Sequence, residues 1–257
     1  MMSSDRNIGE RALRSVFRLL EDRLPGYEAR PQQLAMAGKI LACFGDKRNL
    51  LVEAGTGVGK SFAYLIPAIL YGEKTVVSTA SIALQDQLVR KDLAFLETAL
   101  SHSFSYGLLK GKNNYLCLKR EREYSELGEQ FREFRQWASQ TETGDRDELN
   151  FIPDFWSRVC GDSEDCSAAG CPFYQDCFYY SHYREIRKKD ILVVNHHLLG
   201  FDLLSNFNIL PFHTQLVIDE AHQMEQVISK VFGTVLSRSR IMWLLYRLKG
   251  LKMAVEH

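Results

Sequence analysis

The chain has 257 residues, of which 46% are hydrophobic and 25% are charged, a balance typical of a globular protein. Its formal net charge is zero, with 32 basic and 32 acidic residues, so any surface for nucleic acid has to be local. No apolar run approaches the roughly 18 residues of a membrane span, and the N-terminus lacks the apolar core of a signal peptide. These features predict a cytoplasmic protein, in which thiols stay reduced.

The first part of the chain alternates helical and extended patterns. Apolar residues recur at helical spacing in several segments, and short apolar runs indicate buried strands between them. Pro31 suits the first turn of the second helix. The predicted helices cover residues 10–24, 31–44, 61–71 and 81–99, and the predicted strands cover 49–53 and 75–79.

Further apolar strands are predicted at residues 190–195 and 215–219, so the whole pattern favours an α/β fold with a parallel sheet. Residues 108–185 interrupt this alternation and are interpreted as an inserted subdomain. Within it, residues 118–140 have a helical composition and residues 141–165 are acidic and irregular. The predicted organisation is a nucleotide-binding domain over 1–107 and 186–232, with the insertion between, and a helical segment over 233–257.

Residues 54–61 (AGTGVGKS) match a phosphate-binding loop, except that alanine replaces the usual first glycine. The glycines let backbone N–H groups turn toward phosphate oxygens, and the following helix points its positive end at the anion. Lys60 would reach the β and γ phosphates, and the Ser61 hydroxyl would bind Mg²⁺. The alternative is a glycine turn that binds nothing. The predicted nucleotide-binding residues are Ala54, Gly55, Thr56, Gly57, Val58, Gly59, Lys60 and Ser61.

Residues 219–222 (DEAH) follow a predicted strand and supply the second half of such a site. Asp219 would hold Mg²⁺ through water, and Glu220 would orient and deprotonate the attacking water. His222 could sense the γ phosphate. The alternative is a strand end with exposed acids at a helix N-terminus, which is common. The predicted catalytic set is Lys60, Asp219, Glu220 and His222.

Five of the six cysteines lie between residues 117 and 177, which suggests metal binding rather than disulfides in a reduced compartment. Four of them, one distant and three spaced C-x4-C-x5-C, suit a [4Fe–4S] cluster better than a zinc site, though zinc stays open. Cys160 could substitute as a ligand, and Cys43 is interpreted as a core residue. The predicted ligands are Cys117, Cys166, Cys171 and Cys177.

Taken in order, these motifs resemble DinG/XPD-type iron–sulfur helicases of superfamily 2, in particular the bacterial DinG/YoaA-like branch. The resemblance extends over most of residues 25–225. It includes residues 27–33 (YEARPQQ), similar to an adenine-recognising motif in which Arg30 and Gln33 would act. Residues 78–79 with 84–88 resemble a DNA-contacting motif, and 110–117 (KGKNNYLC) and 193–199 (VVNHHLL) flank the insertion.

The resemblance implies a RecA-like sheet with helices on both faces, interrupted by a small helical cluster subdomain. It also implies ATP-driven 5′→3′ movement on single-stranded DNA and unwinding of forked or structured DNA by a monomer. Basic and aromatic residues on both sides of the insertion fit a DNA path. They are Lys110, Lys112, Tyr115, Lys119 and Arg120 before it, and Tyr183, Arg184, Arg187, Lys188 and Lys189 after it.

Several features depart from that family. The 257 residues contain no stretch that resembles the second RecA-like domain, most of the helical arch or an N-terminal exonuclease. The expectation is therefore an N-terminal part that does not unwind DNA alone and tends to aggregate through an exposed strand edge. Two alternatives stay open. One is a phosphate-loop ATPase with a zinc-stapled insertion acting on RNA or protein, and the other is a non-catalytic fragment that only binds DNA or a partner.

Overall fold

The structure is a computed structural model that describes residues 4–233, except residues 25, 29, 56, 125–127 and 164. The predicted helical segment after residue 233 lies outside the described residues. The α-helices are α1 (Ser4–Arg23), α2 (Pro31–Asp46), α3 (Lys60–Tyr71), α4 (Ile82–Gln87), α5 (Ala94–Ala99), α6 (Leu118–Glu123), α7 (Glu129–Ala138), α8 (Trp156–Val159), α9 (Phe178–Ile186), α10 (His196–Leu204) and α11 (Met224–Phe232). The strands are β1 (Thr75–Thr79), β2 (Tyr106–Leu108), β3 (Ile191–Asn195) and β4 (Gln215–Ile218).

The four strands form one parallel sheet in the order β2-β3-β1-β4. Successive residues of the central strands point to opposite faces, and both faces are covered. Val77 of β1 packs into the core beneath α1, α2 and α3, whereas Val76 packs into the core shared with α9 and α10. The predicted parallel α/β sheet with helices on both faces is therefore confirmed.

The insertion has a hydrophobic core of its own, separate from the two cores of the sheet. Its buried members are Leu116, Phe134, Phe155, Trp156, Val159 and Cys160. Two isolated antiparallel bridges, Tyr115 with Asp145 and Leu116 with Cys160, fold the start of the insertion onto its middle. The insertion is thus a small unit with its own packed core, connected to the sheet through β2 and β3.

The predicted buried strand over residues 49–53 is wrong. This segment is extended but has no strand partner among the described residues, and the Leu51 side chain is 91% exposed. It faces the outer edge of β4 across a groove of about 1210 Å³, which both segments line. A ladder needs a neighbouring strand at hydrogen-bonding distance, and an apolar run alone cannot supply one.

Two other elements differ from the sequence prediction. The predicted helix over residues 81–99 is divided, because a π-helical segment (Leu88–Leu93) separates α4 from α5. The short strand β2 was not predicted; it pairs with β3 at the sheet edge. Within the described residues, no helix combines the length and apolar character needed to cross a membrane.

Candidate active site and cysteine cavity

The phosphate loop lies between the extended segment 49–53 and α3. Gly57 and Gly59 both have a φ of +82°, the left-handed region that disfavours a side chain. Gly59 precedes the first turn of α3, so the positive end of that helix faces the loop. The loop can therefore present N–H groups to an anion. Thr56 lies outside the described residues.

Gln33 fastens this loop to α2. Its side-chain amide donates a hydrogen bond to the carbonyl oxygen of Gly59 at 2.7 Å and accepts one from the Tyr27 hydroxyl at 2.6 Å. A Cβ on Gly59 would lie 2.1 Å from the Gln33 amide nitrogen, so glycine is needed here for space as well as for φ. Gln33 is buried, whereas Arg30, its partner in the predicted adenine motif, is exposed just before α2.

The two halves of the predicted site meet through Lys60 and Glu220. Lys60 Nζ lies 2.9 Å from Glu220 Oε1, although 160 positions separate them in the chain. The hydrogen bond from Lys60 is the main cause of the lowered pKa of Glu220, and the same bond raises the pKa of Lys60. Both side chains are therefore charged at neutral pH, and their contact brings Glu220 to the end of the phosphate loop.

Asp219 lies at the end of β4, beside this ion pair. Its Oδ2 accepts a hydrogen bond from the Tyr64 hydroxyl at 3.2 Å, and its Oδ1 accepts one from the backbone N–H of Glu220 at 3.1 Å. Burial raises the pKa of Asp219 above its ordinary value, and the nearby Glu220 charge also raises it. Because these effects disfavour the ionised form of the carboxylate, a cation bound beside it would stabilise that form.

The backbone turns sharply at Glu220, which has a left-handed φ of +53°. The turn brings His222 Nδ1 to 3.4 Å from Glu220 Oε2, with the imidazole largely exposed. Behind the turn, His196 is fully buried, and its Nδ1 lies 2.7 Å from the Ser78 hydroxyl. Burial lowers the pKa of His196, and the backbone of Asp219 and Glu220 lies against its ring.

The four predicted cysteine ligands line a single cavity of about 240 Å³ in the insertion. That volume equals about eight waters at roughly 30 Å³ each, so it exceeds the space of one ion. Cys117 and Cys177 directly precede α6 and α9, while Cys166 and Cys171 lie in the loop between α8 and α9. Among the described residues, no three His, Cys, Asp or Glu side chains form a group that could hold a metal ion.

The environments of the thiols differ. Burial acts to raise the pKa of Cys166, but the Ala168 backbone N–H, Lys112 and the Tyr180 hydroxyl lower it below its usual value. The Tyr180 oxygen lies 3.8 Å from Cys166 Sγ, and Lys112 Nζ lies 5.2 Å from the centre of the Tyr180 ring. Burial raises the pKa of Cys177. The surroundings of Cys166 therefore favour its thiolate, whereas those of Cys177 disfavour it.

The other two cysteines lie elsewhere. Cys160 is buried in the core of the insertion and does not line the cavity, and burial raises its pKa. Cys43 lies in α2, where Arg48 N–H donates to its carbonyl oxygen.

Many residues of the predicted DNA path are engaged inside the protein. Lys110 Nζ lies 2.6 Å from both Asp145 and Asp147, and Arg120 pairs with Asp162 and Asp165. Tyr115 is buried, as are Ser78, Thr79 and Gln85 of the motif resembling a DNA contact. The exposed basic side chains of this set are Lys119, Arg187 and Lys188.

Sequence reasoning missed Tyr64 and Asp92 and gave no individual role to His196 of the quoted segment 193–199, although all three lie around the predicted catalytic residues. None belongs to the quoted part of a phosphate-binding motif, and an aromatic or acidic residue in a helix is ordinary in composition. The signal available was the position of Tyr64, three residues after Ser61, which places both on one helix face.

Comparison with known proteins agrees with these features. A family model described as DEAD/DEAH box helicase matches residues 30–123. The ATP-dependent DNA helicase YoaA of Haemophilus influenzae is 34% identical over 90% of this chain and 39% of that protein. YoaA of Escherichia coli is 34% identical over 87% of this chain and 37% of that protein. The ATP-dependent helicase DinG of Mycobacterium tuberculosis is 36% identical over 85% of this chain and 38% of that protein.

A solved structure described as an XPD helicase has a TM-score of 0.48 at 16% identity, covering 78% of this chain and 34% of that one, a likeness too weak to bear on function. The predicted resemblance to DinG and YoaA helicases is confirmed by the sequence relatives. The chain spans about two fifths of the length of these relatives.

Proposed function

We propose that this chain forms the ATP-binding part of an ATP-dependent DNA helicase of the DinG/XPD type. The observation that carries the proposal is the contact between Lys60 and Glu220. A lysine directly after a glycine-rich loop and a glutamate directly after a strand-end aspartate are the two charged groups that phosphoryl transfer from a nucleotide needs together.

In this proposal, each residue has a role that its position supports. The N–H groups of the loop and of the first turn of α3 bind the phosphates, and Lys60 exchanges Glu220 for the β and γ phosphates. Glu220, released from Lys60, accepts a proton from the attacking water. His222, already beside Glu220, reports on the γ phosphate.

Ser61 and Asp219 would hold Mg²⁺. A hydroxyl and a carboxylate are oxygen donors of the kind that this ion prefers, and Asp219 is held in place by Tyr64 and by its own loop. The ion would supply charge neutralisation at the β and γ phosphates. The chain's own contribution is to fix both oxygens beside Lys60.

The four cysteines that line one cavity are proposed to hold a [4Fe–4S] cluster. The cavity of about 240 Å³ is larger than one ion needs, and the cysteine spacing is one distant residue plus C-x4-C-x5-C rather than two close pairs. Both properties fit a cluster of eight inorganic atoms better than a zinc ion. Iron and acid-labile sulfide analysis of anaerobically purified protein tests this. Four irons and four sulfides per chain are expected. One zinc without sulfide would contradict the cluster and indicate a structural zinc site instead.

The partner is proposed to be single-stranded DNA, with 5′→3′ movement and unwinding carried out in the cytoplasm by the whole protein. The names of the YoaA and DinG relatives support DNA as the substrate. Since the chain spans about two fifths of those relatives, strand separation by the 257 residues alone is not expected.

Nucleotide binding is the direct test of the central proposal. A fluorescent ATP analogue with Mg²⁺ is titrated into the unsubstituted protein, Lys60→Ala and Lys230→Ala. Lys230 is an exposed lysine of α11 and serves as the matched control. Binding by the unsubstituted and Lys230→Ala proteins, and none by Lys60→Ala, supports the proposal. Equal binding by all three, or by none, would contradict it.

A further inference from the structure

A buried carboxylate lies behind the phosphate loop, outside every motif described above. Asp92 belongs to the π-helical segment between α4 and α5 and is 7% exposed. Segments of this kind are rare and occur frequently at functional sites. A buried acid is costly unless its oxygens are paired, so its presence in this segment calls for a physical reason.

The partners of Asp92 connect it to the nucleotide site. Burial raises its pKa, whereas the neighbouring Ser61 side chain, the charge of Lys91 and the Gln87 side chain lower it. Its Oδ2 is buried and has no hydrogen-bond partner among the described residues. The carboxylate therefore lies beside the serine of the phosphate loop, and at least one of its oxygens is left without a hydrogen bond.

Tyr64 completes the arrangement on the other side of Ser61. It lies three residues further along α3 and is 2% exposed. Its hydroxyl donates to Asp219 Oδ2 at 3.2 Å, and Ser61 also interacts with that hydroxyl. Asp92, Ser61, Tyr64 and Asp219 are thus neighbouring polar side chains, the first and third buried, that connect the π-helical segment, α3 and the end of β4.

The direction of the hydrogen bonds decides what this group can do. A serine hydroxyl has one proton and two lone pairs. When Ser61 gives its proton to Asp92, its lone pairs are left for a cation. Tyr64 likewise occupies one lone pair of Asp219 Oδ2 and limits the rotation of the carboxylate.

We propose that Asp92 and Tyr64 are positioning residues that orient Ser61 and Asp219 for a divalent cation bound with the nucleotide. This rests on the proposed function, in which Ser61 and Asp219 hold that cation. Asp92 and Tyr64 do not touch the cation; they act through the two residues that do. Removing such outer partners reduces metal affinity by about 10–100-fold in metal sites generally.

The test measures the Mg²⁺ concentration that half-saturates the Mg²⁺-dependent part of fluorescent ADP binding, and separately the binding of the same nucleotide in EDTA. Asp92→Leu has nearly the same volume and removes the acceptor of Ser61. Tyr64→Phe removes only the hydroxyl. Tyr71→Phe, on the same helix, is the control, since its ring packs on Phe44 without touching this group.

The expected result is that Asp92→Leu needs about 10–100-fold more Mg²⁺ and Tyr64→Phe about 10-fold more, with binding in EDTA unchanged. Asp92→Asn should need less than Asp92→Leu, since its amide oxygen can still accept from Ser61. If Asp92→Leu does not fold, Asp92→Asn and Tyr64→Phe carry the test, and both must still need more Mg²⁺ than Tyr71→Phe.

An unchanged Mg²⁺ requirement in Asp92→Asn and Tyr64→Phe would overturn the inference, and so would an equal loss of binding with and without Mg²⁺, which indicates a merely structural role. Failure of the proposed function has a different result. In that case the unsubstituted protein does not bind nucleotide, or Lys60→Ala binds it equally well.

Discussion

The nucleotide site and the cysteine cavity are built in opposite ways. The nucleotide site joins residues from distant parts of the chain and opens beside a groove of about 1210 Å³ with exposed apolar side chains. The cysteine cavity takes its lining from residues 112–180, measures about 240 Å³ and adjoins aromatic side chains. The cavity is therefore a local unit, whereas the nucleotide site depends on the assembly of the sheet.

This difference predicts that the two regions can be damaged separately. Lys60 and Glu220 meet only when β4 is in place, while the insertion has its own core and its own bridges. A change in the cavity should leave nucleotide binding intact, and a change in the sheet should affect the nucleotide site first.

The largest expected effect is the loss of the proposed [4Fe–4S] cluster in Cys166→Ser. The neighbours of Cys166 lower the pKa of its thiol, which favours the thiolate form that binds a metal. Iron content should fall to near zero, while nucleotide binding stays within about twofold. Cys160→Ala is the matched control and should keep its iron, since Cys160 lies in the core and outside the cavity. If Cys160→Ala loses its iron and Cys166→Ser keeps it, Cys160 rather than Cys166 is the ligand.

The second effect concerns the start of the insertion, where it leaves the sheet. Lys110 lies just after β2, is 11% exposed along its side chain, and pairs with Asp145 and Asp147 further along the insertion. Lys110→Met leaves two carboxylates without their cation, so we expect the free energy of unfolding to fall by about 2–4 kcal/mol. Urea unfolding measures it. Lys230→Met, at an exposed site, should stay within about 0.5 kcal/mol. Equal stability of both variants would mean that the insertion does not depend on this pair.

The Lys110 pair also illustrates what could be predicted from the sequence. Their basic character places Lys110 and Arg120 on a predicted DNA path. In the structure, both pair with acidic residues of the segment 141–165, which the sequence predicts to be irregular. Sequence spacing indicates where charges are, and only the fold decides which of them meet. The glycine-rich loop and the strands β1, β3 and β4 were predicted correctly, because the patterns that indicate them, the glycines before α3 and the short apolar runs, lie within a few residues of each other.

The failures share a non-local cause. Residues 49–53 have the composition of a strand, but strand formation depends on a neighbouring edge, and β4 stands across the groove from them. The short strand β2 exists through its pairing with β3 rather than through its own pattern. The π-helical segment that brings Asp92 behind Ser61 has no sequence signature that distinguishes it from an α-helix.

A third, smaller effect is the pH dependence that the Lys60–Glu220 pair gives to stability. The pKa of Glu220 is lowered in the folded protein, so the pair stabilises the fold above the ordinary carboxyl range and loses that effect as pH falls through the lowered value. Glu220→Gln should therefore unfold about 0.5–1 kcal/mol more easily at pH 7 and the difference should shrink toward pH 3.5. Urea unfolding of both proteins across this range measures it.

A difference in stability that grows as the pH falls would indicate that a carboxyl group other than Glu220 causes the pH dependence. Burial raises the pKa of Asp219, and such a group favours the folded state as pH falls. The Glu220 charge is one cause of this raised pKa, so Glu220→Gln also relieves Asp219, and this relief is present at pH 7 and fades on acidification. A difference that grows on acidification would therefore contradict the assignment of the effect to Glu220.

The smallest effect on stability, and the clearest on association, is expected at the open groove. Leu51 and Phe212 line it and are 91% and 86% exposed, and β4 pairs only with β1 among the described strands. Leu51→Lys and Phe212→Ser should change the free energy of unfolding by less than about 0.5 kcal/mol, since neither side chain is buried. They should reduce self-association in sedimentation velocity, because an apolar surface next to a free strand edge promotes it. Ile152→Lys, exposed in the insertion, is the control and should associate as the unsubstituted protein does. If the unsubstituted protein sediments as a single monomer, the groove does not promote self-association.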